Sequence, residues 1–155
     1  SFEQAARSGS ARLDGFALTY ASGFRGSAQR LRSAGGASVY YSPRGAVSSE
    51  CRGAFESWLY AKAEGLPAYF WGDLDWSGMG ILRAMRMLFP NMQAWQGGYS
   101  PMLQSLLGGQ GHAPNEADKQ GQVPVAFTGC PYADAQLIPA LRSTGNFVDQ
   151  ELFVL

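Results

Sequence analysis

The clearest change of hydrophobic period along this chain lies at its centre. Tyr69-Phe70-Trp71 is a short apolar, aromatic run, so Ala68–Trp71 reads as a buried strand. Asp73 and Asp75 follow it one residue apart, and then comes the small-residue turn Ser77-Gly78. Beyond the turn, Met79, Ile81, Leu82, Met85, Leu88 and Phe89 recur at helical spacing. This predicts an amphipathic helix ending at Pro90, with Arg83 and Arg86 largely off its apolar face.

The flanking segments alternate in the same way. Ser1 caps a short helix over Phe2–Ser8, and Phe16–Tyr20 reads as a strand. Ser22–Gly26 is a loop, and Ser27 caps a short helix carrying Arg30 and Arg32. Ser38–Tyr41 reads as a short strand and Pro43-Arg44-Gly45 as a turn. Ser48 or Ser49 caps a helix to about Glu64, stopped by Gly65, with Phe55 and Leu59 on its core side. Met92–Trp95, within the apolar stretch Asn91–Trp95, reads as a further strand, and Gly97-Gly98 as a turn. Ser100-Pro101 has the form of an N-cap and first-turn proline opening a helix to Leu107. Gly108–Gln122 is polar and glycine-rich and reads as a mobile loop; its His112 is the sequence's single histidine, weighed as a substrate contact against a solvated side chain. A helix over Tyr132–Arg142, perturbed at Pro139 and stopped by Gly145, precedes the apolar segment Phe147–Leu155. This order predicts an α/β fold with a central, mostly parallel sheet and helices on both faces.

Composition narrows the class. With 155 residues, 46% of them hydrophobic, the chain fits one domain, residues 1–155, with a real core. No apolar run approaches a membrane span, no signal peptide is legible, and Cys51 and Cys130 lack metal spacing. A cytoplasmic protein with reduced thiols is expected. Net charge is zero, but arginines crowd the first third and acids the last. Arginine suits bidentate phosphate contacts, and Arg25, Arg30 and Arg83 are the candidates.

The candidate chemistry sits at the end of the central strand. Residues i and i+2 share a face of an extended segment, so Asp73 and Asp75 can converge. Paired carboxylates repel and lose solvation, and an oxygen-bound Mg²⁺ or Mn²⁺ relieves both costs. The alternative is local: one aspartate forms a turn and the other caps the next helix.

Phe70-Trp71-Gly72-Asp73-Leu74-Asp75, then Gly78, Ile81 and Leu82, resemble the C-terminal domain of the JetD subunit family of Wadjet anti-plasmid systems. The terminal Asp149-Gln150-Glu151 and Tyr20–Phe24 add to the resemblance, which covers most of the chain. It implies a Toprim-like fold, similar to the metal-binding domains of type IIB topoisomerases and primases. It also implies Mg²⁺-dependent DNA cleavage in a complex with condensin-like subunits. Asp73 and Asp75 match the family's metal pair, and Glu151 matches the acid of its C-terminal motif. A Toprim site also uses a glutamate at the end of its first strand. Ser1-Phe2-Glu3 resembles the helix that follows that strand, so the glutamate is expected upstream of Ser1 and the chain is expected to be a C-terminal fragment. Glu3 and Glu50 are poor substitutes, and 35–55 reads as an insertion.

The leading expectation is therefore a metal-dependent nuclease domain using water as nucleophile, with Tyr20, Tyr40, Tyr41 and Tyr99 assigned to core or surface. The alternative is a non-catalytic Toprim-like module that binds DNA or a partner protein. A phosphatase with Asp73 as nucleophile ranks last, because it needs an assisting lysine and Lys62 and Lys119 look poorly placed in the sequence.

Overall fold

The computed structural model describes residues 13, 15–19, 32, 48–60 and 65–153. The chain clusters into two units, 23–67 and 1–22 with 68–155. The expected Phe2–Ser8 and Arg30 helices, the Ser38–Tyr41 strand and the Pro43–Gly45 turn lie outside the described residues, as do Glu3, Tyr20, Arg25, Tyr40, Tyr41 and Lys62.

Within unit 23–67, helix α1 spans Ser49–Leu59. Ser48 is its N-cap, the Oγ accepting the Cys51 N–H at 3.1 Å. Leu59 is buried, and the Phe55 and Trp58 rings lie 5.9 Å apart. Arg32 Nη2 donates to the Trp58 carbonyl at 3.0 Å. The helix ends at Leu59 rather than near Glu64, Tyr60 being its C-cap; 61–64 lie outside the described residues.

The other unit is built on a β–α–β step. Strand β1, Tyr69–Phe70, runs parallel to β2, Gln93–Ala94, with helix α2, Trp76–Leu88, between them in sequence. The Gln93 and Trp95 N–H groups donate to the Ala68 and Phe70 carbonyls at 2.9 and 2.8 Å. Met79, Leu82, Met85 and Phe89 bury the apolar face of α2, which packs on β2. Helix α3, Gln96–Leu107, packs through Tyr99, Met102 and Leu106 and contacts helix α4, Ile138–Thr144. A π-helical turn, Ala133–Leu137, leads into α4, and Gly145 ends it in the left-handed conformation at φ 66°.

Three expectations change here. The sheet among the described residues has two short parallel strands, so the mixed α/β character stands, but a central sheet covered on both faces is not seen. The far edge of β2 explains one side: the Ala94 N–H, pointing away from β1, is taken by the buried Cys130 Sγ at 3.3 Å instead of another strand. Phe16–Thr19 forms no strand; the Phe16 ring instead packs edge-on against Tyr69 and Trp95, with centroids 5.7 and 6.1 Å apart. Gly97 and Gly98 are not a turn but the first turn of α3, which takes Pro101 into its body. A Cβ on Gly98 would stand 2.5 Å from the Trp71 indole, and one on Gly97 2.8 Å from that of Trp95. The glycine pair is a seat for two tryptophans.

No helix among the described residues is long and apolar enough to cross a membrane.

Candidate site: three carboxylates around one ammonium

The end of β1 is held rigidly. Trp71 Nε1 donates to Met102 Sδ at 3.2 Å, and the Gly72 N–H donates to the buried Tyr99 hydroxyl at 3.1 Å. Burial, above all, pushes the Tyr99 phenol upward, so it stays a neutral partner for Gly72. Leu74, fully buried, then makes an antiparallel bridge to Val148, with N–H to carbonyl distances of 2.9 and 3.1 Å. That bridge brings Asp149 and Gln150 beside Asp73, across a sequence separation of more than seventy residues.

Asp75 is the N-cap of α2 and only 2% exposed. Its Oδ1 accepts the Gly78 N–H at 2.7 Å, and its Oδ2 accepts from Gln122 Nε2 at 2.9 Å. The capping role anticipated as the local alternative is therefore real, but it uses one carboxylate oxygen and leaves the other facing the site. Asp73 Oδ1 accepts the Gln150 backbone N–H at 2.9 Å. Its second oxygen turns to the same point as Asp75 Oδ2.

That point is the ammonium of Lys119. Its Nζ lies 3.0 Å from Asp73 Oδ2, 2.8 Å from Asp75 Oδ2 and 2.6 Å from Asp149 Oδ1. Burial by itself would lower the lysine, but hydrogen bonds to Asp149, Asp75 and Asp73 outweigh it and raise it well above the usual amine range. Burial likewise acts upward on Asp149, yet Lys119 and then His112 hold it below the usual carboxylate range. His112 Nε2 stands 3.3 Å from Asp149 Oδ1, within ion-pair reach but without hydrogen-bond geometry. His112 is fixed by its backbone pairing with Phe147 and by Nδ1 against the Ala113 carbonyl at 3.1 Å.

The segment expected to be a mobile loop thus carries the central cation. A 3-10 turn, Pro114–Ala117, is capped by Glu116 Oε2 accepting the Ala113 N–H at 2.9 Å. The Lys119 N–H bonds the Pro114 carbonyl at 2.8 Å, and Gln122 Oε1 accepts the Ser77 N–H at 2.8 Å. Lys119, poorly placed by sequence position, touches both members of the Asp-x-Asp pair. Its spacing of more than forty residues from them carries no local signal; only the fold joins them. Asp149, rather than the expected Glu151, is the acid of the terminal Asp-Gln-Glu that reaches this cluster. Glu151 lies in the 3-10 turn Gln150–Leu152 with an exposed side chain. Arg83 is exposed, its guanidinium 5.3 Å from the Phe127 ring centroid, and Arg25 and Arg30 lie outside the described residues.

As a donor set, three carboxylates converging from three directions suit a hard divalent cation. Among the described residues, however, no group of three His, Cys, Asp or Glu side chains is arranged to hold a metal ion, and the point where these three acids meet is filled by an ammonium. The three acids meet at the Lys119 ammonium. Two of them, Asp73 and Asp149, have side chains about a third exposed, at 39% and 34%, so the site opens to solvent. No family model, curated protein or solved structure matches this chain.

Proposed function

We propose that this chain is a Toprim-like domain that binds Mg²⁺ or Mn²⁺ through Asp73, Asp75 and Asp149 and cleaves DNA as part of a cytoplasmic defence complex with condensin-like partners. The observation that carries the reading is the convergence of the three carboxylates at the C-terminal end of β1. Ligands of parallel α/β sheets bind at that end of the strands. In this reading β1 and β2 belong to a larger, mostly parallel sheet with helices on both faces, and a glutamate upstream completes the acid set.

The residues divide the work. Asp75, buried and held by Gly78 and Gln122, is the rigid ligand. Asp73, oriented by the Gln150 N–H, and Asp149 face solvent, where a phosphodiester can approach. A divalent ion, if held by Asp73, Asp75 and Asp149, would supply Lewis-acid polarisation of a phosphodiester. Arg25, Arg30 and Arg83 are the proposed phosphate contacts.

The test is plasmid DNA incubated with Mg²⁺ or Mn²⁺ and the chain, alone and extended by its native upstream residues. Asp73→Ala is expected to lower cleavage by at least ~100-fold, as loss of a ligand should cost no less than loss of its supporting partners. Undiminished cleavage by that variant sinks the nuclease reading and leaves a DNA- or partner-binding module.

Lys119 favours a second reading. A lysine touching both aspartates is what an aspartyl phosphotransferase needs: a carboxylate oxygen of Asp73 bonds to phosphorus as the P–O bond to the ester's alcohol breaks, the alcohol leaves with a proton from solvent, and the ammonium offsets phosphate charge. A hydroxylamine-sensitive phosphoenzyme formed from an aryl phosphate, and lost in Asp73→Asn, is its signature.

A further inference from the structure

We propose that a cavity lined by aromatic rings beside β1 and β2 binds a nucleobase: Tyr69 and Trp95 stack on the ring, and the Gln93 and Gln96 carboxamides bond its edge. This rests on the DNA reading above only for the source of the base, an unpaired nucleotide of the strand. It uses none of the acids around Lys119.

Strand register builds the cavity. Tyr69 on β1 is paired with Gln93 on β2, so both side chains rise from one face of the sheet. Trp95 follows Gln93 by two residues and continues that face. Phe16 closes against them, its ring edge-on to Tyr69 and Trp95. Tyr132 completes the wall, its hydroxyl 3.3 Å from Ser100 Oγ. The enclosed volume is about 350 Å³. That lies near the low end for small-molecule sites and suits a base with its sugar better than a larger cofactor.

The lining chemistry selects the ligand. Among the described residues, no charged side chain lines the cavity, so what enters is recognised through an uncharged part. Aromatic faces accept any base by stacking. A carboxamide sets a donor beside an acceptor, which matches neighbouring acceptor and donor atoms on a base edge. Gln93 is oriented for that task. Its Oε1 accepts from the Cys130 thiol at 3.3 Å, while its Nε2 reaches only the Asn91 carbonyl at 3.5 Å, so the amino group keeps a proton to donate. Gln96 is exposed and reaches from the rim. Trp95 is fixed in advance: a Cβ on Gly97 would stand 2.8 Å from its indole, and the Trp71 ring packs edge-on at 5.5 Å. A platform already in place loses little entropy when a ring stacks on it.

The probe is 2-aminopurine, whose fluorescence falls on stacking. It is titrated with the protein in EDTA in three forms: as the deoxynucleoside monophosphate, within a single-stranded oligonucleotide, and within a blunt duplex. Saturable quenching is expected for the first two and none for the duplex. Quenching of the monophosphate without the strand keeps the base site and makes its source a free nucleotide. Tyr69→Ala is expected to weaken binding ~5–100-fold, the usual loss for one stacking platform. Tyr69 is 48% exposed, so its ring contributes little to the core. Should that variant not fold, competition on the wild type decides: deoxyadenosine monophosphate should displace the probe, and deoxyribose 5-phosphate, which lacks a base, should not. Absent quenching, quenching undiminished in Tyr69→Ala, or equal displacement by the two competitors overturns the proposal. Base binding lost in Tyr69→Ala together with undiminished cleavage by Asp73→Ala keeps this site and rejects the nuclease. The reverse pattern keeps the nuclease and rejects this site.

Discussion

The first turn of α2 lies so close to the end of β1 that a methyl group on Gly78 would stand 2.1 Å from the carbonyl oxygen of Asp73. The obstacle is backbone, not a movable side chain. Gly78→Ala should therefore push α2 away from Asp73 and cost about 1–3 kcal/mol, the range for forced overpacking. Gly121 is the control: a methyl group there would meet nothing within 4 Å, and Gly121→Ala should leave Tm unchanged. Equal melting temperatures for both variants would mean the contact is not a constraint.

Tyr99 ties the same strand end to α3. Its hydroxyl accepts the Gly72 N–H, and the ring is fully buried. Tyr99→Phe leaves that N–H without its acceptor and should cost about 1–2 kcal/mol. Urea denaturation checks it: the midpoint should fall with an unchanged slope.

The pH dependence follows from Lys119 and Asp149. Asp149 is depressed below its usual range, burial being outweighed by Lys119 and His112. Its contribution is present above the unfolded value and lost as pH falls through the lower folded one. Lys119 is raised, its burial outweighed by the three acids. Its contribution is complete below the unfolded value and lost as pH rises through the folded one. Without divalent metal, Tm should be flat between roughly pH 4 and 10 and fall on both sides. In Lys119→Met the three acids face one another with no cation. Its Tm should be lower on the plateau and rise, rather than fall, on entering the acid range. An acid limb of the same sign in both proteins would contradict this account.

Asp149 and Glu151 make a direct comparison. Asp149 contacts Lys119 at 2.6 Å, while the Glu151 side chain is exposed. Asp149→Asn should weaken Mn²⁺ binding and metal-dependent cleavage by ~10–100-fold, and Glu151→Gln by less than about twofold. The reverse order would restore Glu151 as the working acid of the C-terminal motif.

Much of the local architecture was determined by the sequence alone. Ser48 and Asp75 cap helices because a short polar side chain satisfies the first free N–H groups wherever it precedes an apolar helical pattern. The period of Met79, Leu82, Met85 and Phe89 defines a buried face whatever it packs on. Asp73 and Asp75 were legible as a pair because their spacing is itself the geometry. Tertiary structure decided the rest. Gly97 and Gly98 carry a turn signal in sequence, yet they accommodate Trp95 and Trp71, a contact no local rule contains. Phe16–Thr19 has strand composition, but strand pairing needs a neighbour, and its phenyl ring finds Tyr69 and Trp95 instead. Asp149 and Lys119 reach the site only through chain reversals: the Leu74–Val148 bridge for one, and the strap anchored by Gln122 for the other. Charge complementarity acts through space over a few ångströms and has no period along the chain. The central ion cluster was therefore invisible until the fold brought its members together.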